Sequence, residues 1–321
     1  MNTIRFRTRR SFIPAMHSIT KLMMLTTVQL LLNNNLSRYS NHMKLNCLGI
    51  TLFALMMALP GFAKDKRGKQ AMKIISYNIE YGMRADTTAG KTIFSTWMRN
   101  QDPDIVCLQE ANKFTQKSLE ALAASYGHPY AVLQKEKGFP TAITSKYPIV
   151  NIMKVENNMW HGFVMGTING YHIISLHLSP HRYESRQLDI DLILETIRQN
   201  GPFEKWLIMG DFNSVSPVDA GKYADGRLAD RLRKEEEKRP ALKNLVNGEI
   251  DYSVHQRILD FGFIDSARLD KNFSEKNFGA RIDFIYISPD LKSAFTGGNF
   301  IIDDFTKKYS DHRPVYMTWE K

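Results

Sequence analysis

The chain has 321 residues, 43% hydrophobic, 24% charged and 11% aromatic, the proportions of a globular protein, with no low-complexity stretch or internal repeat. The formal net charge is +10, but residues 1–63 hold seven of the Lys and Arg and no Asp or Glu, so 36 basic and 33 acidic side chains leave +3 for residues 64–321. That removes bulk basic charge as an argument for a nucleic-acid or anionic-membrane partner. With Cys47 in the N-terminal segment, Cys107 alone cannot form an internal disulfide, so the remainder must rely on its core.

The first readable element is "MKLNCLGITLFALMMALPGFAKDKRGK", residues 43–69. It has the layout of a cleavable secretory signal: Met43-Lys44, an apolar stretch from Cys47 to Leu59, and Gly61-Phe62-Ala63 before the cut. The apolar stretch is shorter than the roughly 20 residues that span a bilayer, which disfavours a retained anchor. Cys47 lies too close to Met43 to be a lipid-modified cysteine. The expectation is therefore a leader over 1–63, with the true start at Met43 and cleavage after Ala63. One catalytic domain then covers 64–321, secreted or periplasmic.

From residue 72 short apolar runs alternate with amphipathic segments. "MKIISYNI" reads as a buried strand, and "KTIFSTWMRN" places Ile93, Phe94, Trp97 and Met98 at helical spacing. "DIVCLQE" is a strand with Cys107 as a small buried hydrophobe, and "TQKSLEALAASY" is a helix. "YAVLQ" and "TAITS" are strands. "GFVMGTINGYHIISLHL" is a β-hairpin turning at Asn169-Gly170. "YESRQLDIDLILETIRQN" is a helix stopped by Gly201-Pro202. "KWLIMGD" is a strand, "RLADRLRKEEEKRP" a solvated helix, "VHQRILDFG" a helix, and "RIDFIYIS" and "HRPVYMTW" strands. Interleaved strands and helices with an antiparallel hairpin predict an α/β (α+β) layered sandwich of mixed sheets.

Six of these strands begin or end in polar side chains: Asn78 and Glu80, Glu110, His177, Asp211 and Asn213, Asp283, and Asp311-His312. A single such ending is ordinary turn chemistry. Six together point to a site, because layered sheets gather strand ends at one edge. In "KWLIMGDFNS", strand alternation would put Asp211 and Asn213 on one side and Phe212 in the core. Carboxylates, carboxamides and two imidazoles without paired Cys suit a hard cation: Mg²⁺, Mn²⁺ or Ca²⁺. Such a cation with positioned His and Asp is a device for hydrolysing phosphate esters.

"SYNIE", "CLQE", "SLHLSPH", "GDFNS", "RIDFIYIS" and "SDHRPV" occur in the order and approximate spacing of the endonuclease/exonuclease/phosphatase superfamily, which the chain resembles over residues 72–319. The resemblance implies a DNase I-like four-layer sandwich, two mixed β-sheets packed face to face and flanked by helices. It implies Glu110 as principal metal ligand with Asn78 and Asp311 nearby, and Glu80 as a further acidic ligand. Asp211 and Asn213 would contact the attacking water and the phosphate. His312, oriented by Asp283, would act as general base or charged stabiliser, and His177 as second catalytic imidazole. Repair nucleases of this group often carry Tyr at that position, so His177 leans toward the DNase, sphingomyelinase and phosphatase branches.

Arg186, on the helix after the His177 loop, reads first as a surface arginine and second as a phosphate contact. His181 and Trp160-His161 are candidate cleft or rim residues, and His128, His172 and His255 are structural. The expected activity is a metal-dependent phosphoesterase, phosphodiester cleavage preferred, acting as a monomer with no obligate protein partner. Nucleic acid, phospholipid and inositol phosphate stay open as substrates. A binding protein that kept the fold and lost catalysis should lack the metal Glu, the Asp-Asn pair or the final Asp-His, all of which are present.

Overall fold

Residues 71–274 and 279–321 are described by the computed structural model. The leader expected over 1–63, with Met43, Cys47 and the cut after Ala63, lies outside the described residues. Among the described residues no helix is long and apolar enough to cross a membrane.

The apolar strands read from the sequence are covered on both faces, which is why they run nearly continuously hydrophobic instead of alternating. One sheet contains β1 (Ala71–Asn78), β2 (Ile105–Gln109), β3 (Tyr130–Leu133), β4 (Ala142–Ser145), β13 (Phe295–Phe300) and β14 (Val315–Glu320), in the order β13-β14-β1-β2-β4-β3. The other contains β5 (Val150–Val155), β6 (Phe163–Ile168), β7 (Tyr171–His177), β8 (Trp206–Asp211), β11 (Ile264–Asp265) and β12 (Asp283–Ile287), in the order β11-β12-β8-β7-β6-β5. A small ribbon of β9 (Leu245–Val246) and β10 (Glu249–Ile250) stands apart. The β1–β2 and β7–β8 pairs are parallel and the others antiparallel, so both sheets are mixed.

Alternation then sorts each strand's residues between two cores. Met72 and Ile74, Ile105 and Cys107, Ile173, Leu207 and Met209, Ile285 and Ile287 point between the sheets. There Tyr171 meets Trp319 edge-on at 5.2 Å between ring centroids, a pair worth about 0.5–1.5 kcal/mol beyond its buried area. On the outer face of the first sheet Ile75, Tyr77, Val106 and Leu108 pack on α1 (Thr92–Gln101) and α2 (Gln116–Ser125) through Phe94, Trp97, Leu119 and Leu122. On the outer face of the second, Ile174, Leu176, Ile208 and Phe284 pack on α3 (Tyr183–Gln199) and α5 (Ser253–Asp260). The result is the expected four layers. The charged α4 (Arg227–Lys238) buries none of its residues, and α6 (Asp304–Tyr309) caps the approach to β14.

The hairpin turn has Asn169 at φ 52° and Gly170 at φ 83°, the left-handed pair that an Asn-Gly loop supplies. Five strands lack a sequence signal, among them the two-residue edge strand β11. β5 is an exposed edge strand with Asn151 at φ 51°. β13, "FTGGNF", carries two glycines and a register irregularity between Phe295 and Gly297. β9 and β10 have two residues each. Edge position and irregular pairing relax the demand for apolar alternation that makes a strand legible.

Gly210 is the tightest point in the second sheet. At φ 147°, a Cβ there would lie 1.9 Å from the Leu176 carbonyl oxygen on β7, so only glycine allows β8 to reach its parallel neighbour one residue before Asp211. Gly210→Ala is expected to lower unfolding free energy by at least about 2 kcal/mol. Urea unfolding reads this, and an unchanged midpoint would mean that the β7–β8 approach is looser than described.

Candidate active site

Strand register builds the site. Asp211 pairs with His177 across the parallel β7–β8 ladder and with Asp283 across the antiparallel β8–β12 ladder. By alternation, all three share the inward face already marked by Ile173, Met209 and Ile285. In the opposite sheet, Asn78 is the register partner of Gln109, and Glu110 follows at once. Each inward row runs from aliphatic to polar: Ile74-Ser76-Asn78 on β1, Cys107-Gln109 on β2, Ile173-Ser175-His177 on β7. Gln109 Nε2 bridges the sheets, donating to Ser76 Oγ at 3.4 Å and Ser175 Oγ at 3.3 Å.

These rows converge on one atom. Asp211 Oδ2 accepts from Asn78 Nδ2 at 3.0 Å, and lies 3.5 Å from His177 Nε2 and 3.6 Å from His312 Nε2. Asp211 is only 1% exposed. Its second oxygen accepts the Asn213 backbone N–H at 2.9 Å. Asn78 Nδ2 also reaches Glu110 Oε1 at 3.2 Å, so one amide couples the carboxylates of the two sheets. His312 Nδ1 meets Asp283 Oδ2 at 2.7 Å. Arg281, fully buried two residues before Asp283, pairs through Nε with Asp219 at 2.7 Å and through Nη2 with Asp265 at 2.5 Å, fixing the start of β12. Buried pairs of this kind hold a segment in place because losing one partner strands the other charge.

Strand alternation accounts for Asp211 and for Phe212, which is fully buried in the outer core, but not for Asn213. β8 ends at Asp211. Asn213 sits at φ 48° and donates its side-chain amide to the Leu178 carbonyl at 3.0 Å. A left-handed turn, available to Asn at low cost, brings it back beside Asp211.

Burial sets the protonation states. It raises the Asp211 carboxyl to about 7, with Asp283 adding to the rise and His312 opposing it. Burial alone would lower His312, but the carboxylates of Asp283 and Asp211 outweigh it and lift the imidazole to about 10. His177 is held well below its ordinary range by burial and then by His161 and His312, so its ring is neutral. The site thus pairs a carboxyl poised near neutrality with a charged imidazole and a neutral one.

The donor set fits a hard divalent cation: Glu110, Asp211 and Asp283 offer oxygens, and Asp211, Asp283 and His312 present ligand atoms within 4.8 Å of one another. Glu110 Oε2 also accepts the Tyr81 N–H at 3.0 Å, and Asn78 Oδ1 the Glu80 N–H at 3.1 Å. Glu80 itself pairs with Arg84 at the rim, and Asp311 is largely exposed, 3.9 Å from His312 Nε2. Glu80 to Met83 all have positive φ, as has Glu110 at 57°. Gly82 is essential there, since a Cβ would fall 2.1 Å from the Asn112 carbonyl oxygen.

Arg186 is not the surface residue its helix position suggests. It is 2% exposed, and Nη1 donates to the Ser179 carbonyl at 3.0 Å and Asn244 Oδ1 at 2.8 Å, bracing the loop that follows His177. His181 is exposed and meets Trp160 edge-on at 5.4 Å. His161 stacks on His177 at 4.4 Å between centroids. Phe139, to which no sequence signal drew attention, packs on both rings at 5.1 and 6.4 Å; its segment lies far from every motif in the chain. His128 binds Thr144 Oγ1 and the Pro103 carbonyl, His255 binds Tyr286 and Ser214, and His172 stacks on Trp206, all in structural roles.

A family model described as the endonuclease/exonuclease/phosphatase family matches residues 75–312. An exodeoxyribonuclease of Bacillus subtilis (strain 168) is 26% identical over 275 residues, 77% of this chain and 98% of that protein. An AP endonuclease from Archaeoglobus fulgidus shares the fold with a TM-score of 0.57 at 20% identity, over 77% of this chain and 99% of that one. A 3'-5' exonuclease from Neisseria meningitidis does so with a TM-score of 0.57 at 18% identity, over 78% and 100%.

The His312–Asp283 pair carries a testable titration. Because the folded-state pKa is raised above the ordinary 6.5 to about 10, the pair's contribution to stability is full below pH 6.5 and is lost as pH rises through about 10. In metal-free protein, Asp283→Asn is expected to bring the His312 titration down by about 2 units or more. NMR of the ring proton reads it; an unmoved titration would assign the raised pKa to another partner.

Proposed function

Because the chain belongs to the endonuclease/exonuclease/phosphatase family, we propose that it is a divalent-metal-dependent phosphodiesterase acting on nucleic-acid strands. The observation that carries this reading is the clasp of Asn78, His177 and His312 on Asp211 Oδ2, with Glu110 on the same amide. The names borne by the related exodeoxyribonuclease and exonuclease support the choice of nucleic acid.

Each residue has work consistent with its state. A divalent cation held by Glu110 beside Asn78 would neutralise phosphate charge. Asp211, its pKa near neutrality, takes a proton from the attacking water as the oxygen bonds to phosphorus. Asn213 lies against that carboxylate, its turn fixing the oxygen's direction. His312, charged, holds its Nε2–H toward the phosphoryl group and passes the proton to the departing oxygen as the P–O bond breaks. The proton on Asp211 then returns to His312 Nε2 across 3.6 Å, and both groups are reset. His177, neutral and wedged against His161, contributes a hydrogen bond without adding charge.

Cleavage of a phosphodiester strand is expected to require Mg²⁺ or Mn²⁺ and to stop with EDTA. Glu110→Ala and His312→Ala are expected to lower turnover by about 10³-fold or more in protein that still folds, His312→Ala with a lowered thermal midpoint because it strands Asp283. Activity that survives either change would break the role assignment, and hydrolysis of sphingomyelin or inositol polyphosphates with strands untouched would move the substrate elsewhere.

We also propose export, on the signal-like segment Met43–Ala63. N-terminal sequencing of the native protein is expected to begin at Lys64; a start elsewhere would sink cleavage after Ala63, and a peptide from residues 1–42 would sink Met43 as the start.

A further inference from the structure

An aromatic lane runs along one wall of the site. Tyr81 meets Phe139 edge-on at 5.3 Å, Phe139 meets His161 at 5.1 Å, and His161 stacks on the catalytic His177 at 4.4 Å. Beyond His161, Trp160 follows at 6.4 Å and His181 closes on Trp160 at 5.4 Å. The rings come from four separate loops. The lane's two ends are open: Tyr81 is 43% exposed and Trp160 46%. Among the described residues only Tyr130 is an equally exposed aromatic, so two of the three flank this site.

The exposed tryptophan is held there by a built loop. Asp189, buried on α3, accepts the Trp160 backbone N–H. The neighbouring His161 carbonyl is gripped by Gln134 Nε2 at 3.0 Å and Lys135 Nζ at 2.7 Å. Gly162, at φ 88°, then lets the chain pass where a Cβ would lie 2.1 Å from the Val155 carbonyl oxygen.

Most of the cations near this wall are committed elsewhere, with Lys113 and Lys137 exposed at its edge. Lys135 holds the His161 carbonyl, and Arg84 pairs with Glu80 while lying 5.3 Å over the Tyr81 ring. Further out, Lys91 binds the Met83 and Asp86 carbonyls and Arg99 the Ser125 carbonyl. A surface that tracks a duplex does so with cations free for successive phosphates. A surface with exposed rings on either side of the cleavage centre offers base stacking instead, and bases inside a duplex have no free faces to give.

Resting on the phosphodiesterase reading above, we propose that the substrate is an unpaired strand, a single-stranded end or short oligonucleotide. Tyr81 and Trp160 act as stacking platforms for the bases that flank the scissile phosphate. They determine specificity and take no part in proton transfer.

The test uses three substrates of equal length with Mg²⁺: a single-stranded oligonucleotide, the same sequence closed into a duplex hairpin, and a base-free strand of abasic residues. The single strand is expected to be cleaved at least about tenfold more efficiently than either other substrate. Tyr81→Ala and Trp160→Ala should each raise KM about tenfold on the base-bearing strand, and at most about twofold on the base-free one, with kcat little changed. Tyr81→Phe and Trp160→Phe should restore most of the loss. Equal cleavage of single strand and duplex, or equal losses with and without bases, overturns the stacking assignment and leaves the phosphodiesterase reading intact. Wild-type protein that cleaves none of the three overturns both.

Discussion

A carboxylate that is 1% exposed must be surrounded by donors or lose its charge, and Asp211 is placed where it can do either. Its Oδ2 has three nitrogens around it, one from each of three other strand ends or loops. No local segment could supply that arrangement. It needs two parallel strand pairs whose C-terminal ends point the same way, two antiparallel strands entering from the same edge, and a second sheet close enough to bring Asn78 across. The four-layer architecture can be understood as the means of meeting that requirement.

The transition from aliphatic to polar along each inward row makes the arrangement affordable. Ile74, Cys107, Ile173 and Met209 exclude water from the middle of the sandwich, while Ser76, Gln109 and Ser175 form an intermediate tier. The titrating groups therefore stand on a dry, hydrogen-bonded floor. Low dielectric below and open access above is what lets one carboxyl sit near neutrality beside an imidazolium.

Much of this was legible in the sequence because it depends on period-two alternation and on strands that end in unusual residues. The strands of both sheet centres, the Asn169-Gly170 hairpin and the helices over each face follow from pattern alone, and the motif order matches the family. What escaped depends on tertiary placement. β5 and β13 are edges, where alternation is not enforced. Asn213 reaches the site through a left-handed φ, which a strand argument does not foresee. Arg186 was legible as amphipathic-helix surface, but a neighbouring loop folds over it and ties it to Asn244. Phe139 and Tyr81 meet only because loops about sixty residues apart converge, and neither carries a polar group that would mark it.

The topology has a consequence for when this centre comes into being. The groups around Asp211 are drawn from residue 78 near one end of the folded region to residue 312 near the other, and β14, the last strand, must slot between β13 and β1 before His312 can meet Asp283. A chain still on the ribosome, with its last motif yet to emerge, holds every group except the one that completes the circuit. The circuit around Asp211 is therefore incomplete in a nascent polypeptide and closes only once its last motif has docked.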